Sequence, residues 1–203
     1  MHDIESQFGG LDIYLFDQLV RGRIAAGMTV LDAGCGRGRN IAYLLSAGYQ
    51  VFAVDQNRDA IETVAELAAE LAPRLPADNF RVAPVEALPL DDQSMDVVIS
   101  SAVLHFATDE EHLWAMLQEM MRVLKPGGLL FARLASTIGM EGRFRALGNG
   151  RYQQPDGDER FLVDEPFLLA ATERLGGELI DPLKTTVVQD KRCMTTWVVR
   201  KQA

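Results

Sequence analysis

Apolar residues along the chain follow two patterns, short continuous runs and longer stretches with helical spacing. The runs predict strands at residues 28–33, 50–54, 79–83, 96–100 and 129–134. Between and after them, apolar residues recur every three or four positions and predict helices at 40–47, 58–71, 110–124 and 164–175. This alternation of strand and helix indicates an α/β three-layer fold around a mostly parallel sheet.

The two ends of the chain depart from the alternation. Apolar and aromatic residues at helical spacing predict an N-terminal helical segment at 4–24, whose aromatic side chains either pack in the core or cover a ligand. Near the C terminus, strands at 178–188 and 193–200 flank a charged turn and predict an antiparallel hairpin, with a kink or edge position at Pro182. The prediction is a single domain of 1–203, with a seven-stranded sheet that ends in this hairpin.

Residues 135–163 break the periodicity. Glycines alternate there with arginines and Tyr152, and few apolar residues recur at regular spacing. Long irregular segments inside a compact domain are usually functional or mobile. We therefore predict a lid on the substrate side of a cleft, and Arg143, Arg151 and Tyr152 are candidates to hold an anionic substrate. Solvated surface charge is the alternative for these arginines.

The glycine-rich segment VLDAGCGRGRN, at 30–40, directly follows the first predicted strand and opens the next helix. Glycines allow the backbone to turn tightly and a ligand to approach the main chain. A dinucleotide loop has the spacing G-x-G-x-x-G, and its third glycine would fall on Arg39. Asp32, two residues before the first glycine, suits a cationic ligand better than a diphosphate. S-adenosylmethionine (SAM) has an ammonium and a sulfonium but no phosphate.

A second acid, Asp55, ends the next predicted strand, 17 residues after Gly38. Ligands bind at the carboxyl edge of an open parallel sheet, where a carboxylate accepts hydrogen bonds from both ribose hydroxyls. The same carboxylate would repel a 2′-phosphate. Asn57 and Asp59 are available to cap the following helix, so a purely structural role for Asp55 is disfavoured.

Four features in this order resemble the class I SAM-dependent methyltransferases: the acid followed by G-x-G-x-G, Asp55, the Glu86-Ala-x-x-Leu-Pro stretch after the third strand, and the Leu-Lys-Pro-Gly-Gly turn at 124–128. A weaker likeness is to tellurite-resistance-type and thiopurine-type small-molecule enzymes. The resemblance implies a Rossmann-like fold, SAM as cofactor and methyl transfer to a small molecule by in-line displacement. It also implies a set of cofactor-binding residues, Asp32, Gly34, Cys35, Gly36, Gly38, Asn40, Asp55, Gln56, Glu86, Ala87 and Ser101, with Glu86 and Ala87 beside the adenine.

The resemblance places residues 101–106 next to the transferring methyl group. They lack the Asn/Asp-Pro-Pro-Tyr/Phe signature of amide and base-amino methyltransferases. His105 is the candidate general base, because its intrinsic pKa suits proton transfer near neutrality. Alternatively, it holds the loop or closes the methionine end of the cofactor. His2 and His112 are predicted to be incidental.

Composition limits the possible partners. The net charge is −9 at pH 7, which argues against a nucleic-acid substrate because binding phosphates needs a basic face. Two distant cysteines, Cys35 and Cys193, form neither a disulfide framework nor a zinc site, and no His, Asp or Glu spacing suggests a metal. A signal peptide and a membrane span are not expected, so a cytoplasmic location is predicted. The oligomeric state is left undetermined.

Two other functions fit parts of the same pattern. A SAM-binding protein without catalysis would share the loop and the acids. A nicotinamide-dependent dehydrogenase would share the strand, the glycine turn and the ribose-binding acid.

Overall fold

A computed structural model describes residues 7–8 and 10–202. Its central sheet contains five parallel strands in the order β3-β2-β1-β4-β5. Their bounds are Thr29–Ala33 (β1), Gln50–Asp55 (β2), Phe80–Val82 (β3), Met95–Ser101 (β4) and Leu124–Ala135 (β5). The strands β2 and β3 are added on one side of β1, and β4 and β5 on the other. The topological switch point of the sheet therefore lies between β1 and β4.

Among the described residues, five helices cover the two faces of the sheet. They are Ile13–Val20 (α1), Ala42–Ser46 (α2), Arg58–Leu71 (α3), Glu110–Val123 (α4) and Glu165–Arg174 (α5). Successive residues of a strand face opposite sides, and Val30 and Leu31 accordingly belong to different apolar clusters. Helices α1, α2 and α3 pack on the Val30 side, while α4 and α5 pack on the Leu31 side.

Two further regions complete the described chain. A separate three-stranded antiparallel sheet consists of Arg145–Gly148 (β6), Arg151–Gln153 (β7) and Glu159–Phe161 (β8). Strands Gly177–Leu179 (β9), Lys184–Val188 (β10) and Arg192–Lys201 (β11) extend the central sheet, with β11 antiparallel to β5 and paired with both β9 and β10.

The predicted fold class is confirmed: the sheet is mostly parallel and ends in an antiparallel hairpin. The predicted strand 178–188 is divided in two, because Pro182 lies in the break between β9 and β10. The Lys-Pro-Gly-Gly turn lies within β5, where Lys125–Gly128 bulges out between the pairs Met95–Leu124 and Val97–Leu129. Residues 4–6 and 9 of the predicted N-terminal segment 4–24 lie outside the described residues, as does His2, and α1 occupies Ile13–Val20.

The expectation that 135–163 has little regular structure is wrong, since β6, β7 and β8 lie in it. These strands have only three or four residues, and all four residues of β6 are exposed. Strands this short and exposed carry no alternating apolar pattern in the sequence.

None of the helices in the described residues is long and apolar enough to span a bilayer. Within the same part of the chain, no three or more His, Cys, Asp and Glu side chains are arranged to hold a metal ion. Both cysteines are buried and unpaired.

Candidate functional site

The glycine loop, Gly34–Gly38, begins where β1 ends and lies over the switch point of the sheet. Gly34, Gly36 and Gly38 all have positive φ angles, of 83°, 52° and 78°. A Cβ atom on Gly34 would lie 2.5 Å from Cγ2 of Val103, so the segment after β4 packs directly against the loop backbone. The N–H groups of Gly34 and Cys35 donate to the Val54 carbonyl oxygen, which ties the loop to β2.

A cavity of about 530 Å³ opens beside this loop, and we name it the glycine-loop cavity. Its volume lies within the range of small-molecule and cofactor pockets. The walls come from the residues after β1, β2, β3 and β4 and from one face of α4. They are Gly34, Cys35, Gly36, Arg37, Arg39, Asn40, Asp55, Gln56, Pro84, Val85, Glu86, Ser101, Ala102, Val103, Phe106, His112 and Met116.

Asp55 lies on the wall of this cavity with its carboxylate held in place by two backbone groups. Oδ2 accepts a hydrogen bond from the N–H of Gly36 and Oδ1 accepts one from the N–H of Asn57, both at 2.9 Å. Because each carboxylate oxygen has two lone-pair sites, each retains one for a ligand. The carboxylate therefore presents two oriented acceptors, as a pair of vicinal hydroxyls requires.

Asp32 lies below the loop and is almost completely buried, with 1% of its surface exposed. Its Oδ2 has no hydrogen-bond partner in the described part of the chain. Burial raises the pKa of the Asp32 carboxyl to about 7, nearby Arg39 opposes this rise, and the Asp55 carboxylate adds to it. A positively charged group beside this carboxyl would favour its ionised form.

The segment after β3 forms another part of the wall. Glu86 is exposed and lines the cavity, and its Oε2 lies 3.4 Å from Nε2 of His112 on α4. Nδ1 of His112 accepts a hydrogen bond from the N–H of Thr108, while its Nε2 makes no hydrogen bond within the described part of the chain. His112 thus contributes to the cavity wall, and the expectation that it is incidental is corrected. Its place in the first turn of α4 gave no sequence signal.

Ala87 does not line the cavity. Its side chain is exposed, and its N–H donates to the carbonyl oxygen of Pro84 within a short 3₁₀ turn. The neighbouring Val85 lines the cavity instead.

The other predicted cofactor residues are divided between wall and support. Six of them line the cavity: Gly34, Cys35, Gly36, Asn40, Gln56 and Ser101. Burial raises the pKa of the Cys35 thiol, which keeps it protonated. Gly38 instead packs against α3, where an added Cβ atom would lie 3.1 Å from a Val64 methyl group, so its role is to let the loop approach the helix.

A second cavity, of about 420 Å³, adjoins the first, and we name it the arginine cavity. The two share Arg39, Ala102 and Phe106. Its walls come from the segment after β4, the ends of β5 and β11, and the three-stranded sheet. They are Arg39, Ala102, His105, Phe106, Arg133, Ala135, Gln154, Asp158, Arg160, Val188, Arg192 and Met194.

His105 lines the arginine cavity and is buried, with 6% of its surface exposed. Burial, with a smaller contribution from the charge of Arg160, lowers the pKa of His105 to about 4. Its Nδ1 accepts a hydrogen bond from the N–H of Ala135 at 3.3 Å. The neutral ring therefore carries its proton on Nε2 and presents a donor to the cavity. This state does not suit the predicted role of general base.

The predicted substrate residues lie outside both cavities. Arg143 is exposed and pairs with Asp190 at 3.2 Å. Arg151 donates to the carbonyl oxygen of Ala107 and so attaches the three-stranded sheet to the segment after β4. Tyr152 is half-buried opposite Arg160 in the β7–β8 pair. Arg160, from the same sheet, does line the arginine cavity, and its guanidinium lies 4.9 Å from the ring centre of Phe106.

A doubly wound sheet, a glycine loop at its switch point and a fixed acid at the end of the second strand define a nucleoside-binding α/β protein. Residues 31–132 match the family model of the methyltransferase domain, which is half of the chain. The chain belongs to this family, within the class I SAM-dependent methyltransferases, and SAM is the family's cofactor.

Similar proteins agree with this membership. The malonyl-[acyl-carrier protein] O-methyltransferase of Yersinia pestis is 34% identical over 137 residues, which are 67% of this chain and 45% of that protein. The chain spans about half the length of the curated relatives it matches.

Among solved structures, a SAM-dependent methyltransferase from Methanosarcina mazei has a TM-score of 0.73 at 23% identity, covering 91% of this chain and 97% of that one. The Burkholderia thailandensis 1,6-didemethyltoxoflavin N1-methyltransferase, solved with 1,6-didemethyltoxoflavin and S-adenosylhomocysteine, has a TM-score of 0.73 at 21% identity, covering 99% and 82%. At these identities the likeness shows the fold.

Proposed function

We propose that this chain transfers the methyl group of SAM to a small-molecule acceptor. The cofactor occupies the glycine-loop cavity and the acceptor occupies the arginine cavity. The observation that carries this proposal is the junction of the two cavities at Arg39, Ala102 and Phe106. A donor in one cavity and an acceptor in the other meet there, at the carboxyl edge of the sheet.

The residues of the glycine-loop cavity fit the chemical groups of SAM. The two free acceptor positions of Asp55 match the ribose hydroxyls. The apolar wall at Val85 and Val103, beside Glu86, offers a place for the adenine. Asp32 does not line the cavity, but its buried carboxyl below the glycine loop would favour a ligand that carries positive charge, as SAM does on its ammonium and sulfonium.

SAM supplies a methyl group that its sulfonium already activates, so the protein mainly needs to position the acceptor and exclude water. Phe106 and Arg160, stacked on one another, lie at the arginine cavity where they would shield the reacting atoms. His105 would donate its Nε2 proton to the acceptor in a hydrogen bond and so orient it. The nucleophilic atom would then arrive unprotonated or lose its proton to water.

The three-stranded sheet β6-β7-β8 is the proposed substrate-side lid. It contributes Arg160 directly to the arginine cavity, and the segment between β7 and β8 contributes Gln154 and Asp158. Its attachment through Arg151 to Ala107 would couple lid position to the segment that joins the two cavities.

Calorimetric titration with S-adenosylhomocysteine, SAM and NAD tests the cofactor assignment. We expect binding of the first two and none of NAD, and the reverse result would favour the dehydrogenase. Labelled-methyl transfer from SAM to a panel of thiol, amine, hydroxyl and carboxylate acceptors then tests catalysis. Cofactor binding without transfer to any acceptor would favour a SAM-binding protein that is not an enzyme.

A further inference from the structure

The arginine cavity concentrates positive charge in a protein whose net charge is −9. Four arginines line it against one acid, Asp158, which pairs with Arg160 at 2.7 Å. Arg133 pairs with buried Asp12 behind the wall, at 2.6 Å. Arg39 and Arg192 form no ion pair with a carboxylate in the described part of the chain. The cavity therefore retains an excess of positive charge.

Two residues of this cavity wall each carry a buried donor that has no partner among the described residues. Gln154 is 5% exposed, and its amide Nε2 makes no hydrogen bond. Nε of Arg133 is buried and likewise makes none. Burying a donor without an acceptor is unfavourable, so two of them in the residues of one cavity wall favour a ligand that supplies acceptor oxygens.

We propose that the acceptor is a small organic acid, bound in the arginine cavity through a carboxylate that receives hydrogen bonds from Arg133 and Gln154 and faces Arg192. This inference rests on the proposed function, because it assigns the substrate class of the same site. The amide and the guanidinium Nε are planar donors with few free N–H groups, which suits the two in-plane oxygens of a carboxylate. A phosphate, with three oxygens and more charge, would leave acceptor positions unfilled.

Direct binding to the whole chain saturated with S-adenosylhomocysteine tests the proposal. The probes are malonate, succinate, adipate and benzoate, their primary amides as neutral isosteres, and phenyl phosphate. We expect at least one acid to bind about 10- to 100-fold more tightly than its amide, since charge-assisted hydrogen bonds give a discrimination of that size.

Three variants then locate the binding. Gln154→Met and Arg192→Gln should each weaken the acid by about tenfold or more and leave the affinity for S-adenosylhomocysteine unchanged. Arg200→Gln removes the same charge from an exposed position at the other end of β11 from Arg192, so it should leave both affinities unchanged. Because Arg192 is exposed, its variant tests the site even where replacement of buried Gln154 impairs folding.

Amides that bind as well as acids, a preference for phenyl phosphate, or no acid bound in the presence of S-adenosylhomocysteine would each overturn the carboxylate assignment. An equal loss in the Arg200→Gln variant would show general surface attraction and would also overturn it. In all these cases the proposed methyl transfer stands. Failure to bind S-adenosylhomocysteine would instead refute the proposed function itself.

Discussion

Two aspartates at the ends of neighbouring strands differ because their surroundings differ. Asp55 is partly exposed and accepts two backbone hydrogen bonds, which fix its carboxylate toward the cavity. Asp32 is enclosed below the glycine loop, where burial raises the pKa of its carboxyl to about 7. One carboxylate is fixed by two backbone donors at the cavity wall, while the pKa of the other is raised by burial.

Replacing Asp55 should weaken cofactor binding without unfolding the protein. We expect Asp55→Ala to lose about 1–3 kcal/mol of SAM binding free energy, because charged acceptors for two hydroxyls are removed. Calorimetric titration gives the value. Asp59→Ala, at an exposed position in the first turn of α3, is the matched control and should bind SAM normally. A normal affinity in Asp55→Ala would contradict the assignment of the ribose site.

Replacing Asp32 should change how stability depends on pH. The carboxyl has a pKa of about 7 in the folded protein and an ordinary pKa of 3.8, so the folded chain retains a proton that the unfolded chain releases. The contribution of Asp32 to the free energy of unfolding should therefore fall as the pH rises from about 4 to about 7 and then stay level. Arg39, Asp55 and Cys35 face this group and should set the midpoint of the transition.

We expect Asp32→Asn to lack this pH dependence and to bind SAM less tightly. Its free energy of unfolding, taken relative to that of the wild type, should rise by about 1–3 kcal/mol between pH 5 and pH 8. Urea unfolding of both proteins at both pH values measures this change. A constant difference between variant and wild type would show that Asp32 does not titrate in this range.

Among the elements, the glycine loop works because a neighbouring segment packs against its backbone. Gly34 has both a positive φ angle and no room for a side chain beside Val103. Gly27 has a similar φ angle, 85°, but no atom within 4 Å of its Cβ position. Alanine variants of these two glycines therefore separate the cost of the positive φ angle from the cost of the steric contact.

We expect Gly34→Ala to destabilise the chain by about 1–3 kcal/mol more than Gly27→Ala, and to weaken SAM binding because Val103 must move from its place in the cavity wall. Thermal unfolding and calorimetric titration of both variants provide the comparison. Equal losses would mean that the φ angle alone accounts for the effect.

The segment after β3 is held to α4 by one arginine. Arg122 donates to the carbonyl oxygens of Leu88 and Leu90 and pairs with Glu119, whose Oε2 accepts the N–H of Leu88. These contacts raise the pKa of Arg122 and lower that of Glu119. These contacts, which we name the Arg122 clamp, fix the position of Glu86, two residues before Leu88, at the cavity wall.

Removal of this clamp should affect binding from a distance. We expect Arg122→Met to destabilise the chain by about 1–3 kcal/mol and to weaken SAM binding several-fold, because two carbonyl groups lose their charged donor. Arg200→Met, at the exposed end of β11, should change neither property. Unfolding and titration of both variants decide whether α4 positions the adenine side of the site.

In the molecule as a whole, one sheet connects both apolar clusters. Its strands β1, β2, β4, β5 and β11 contribute side chains to both clusters, so the two cores on its faces share one sheet. The single domain of 1–203 stays a prediction, and the cooperativity of unfolding tests it.

We accordingly expect one cooperative urea transition that coincides for circular dichroism and for tryptophan fluorescence. S-adenosylhomocysteine at one hundred times its dissociation constant should raise the free energy of unfolding by about 2.7 kcal/mol. Two separate transitions would indicate independently folding parts.

Much of the fold was predictable because its signals are local. Buried parallel strands are short apolar runs, helices show a period near 3.6, and α3 lies at the predicted 58–71. The glycine loop and the acid at the end of β2 were also predictable, because a strand end brings both to the same edge of the sheet. The three-stranded sheet was missed because its exposed short strands have no apolar alternation.

The α/β class, the position of the glycine loop and the acid beside it follow from the sequence alone, since each depends on residues close together in the chain. Only the tertiary structure brings four distant residues into one cavity: Arg39, Arg133, Gln154 and Arg192. It also places His112 on the wall of the other cavity. In addition, it gives Nδ1 of His105 a backbone N–H as its donor. These contacts depend on the register of β5 with β11 and on the packing of a small sheet beside them. That register joins residues far apart in sequence, so no local pattern encodes it.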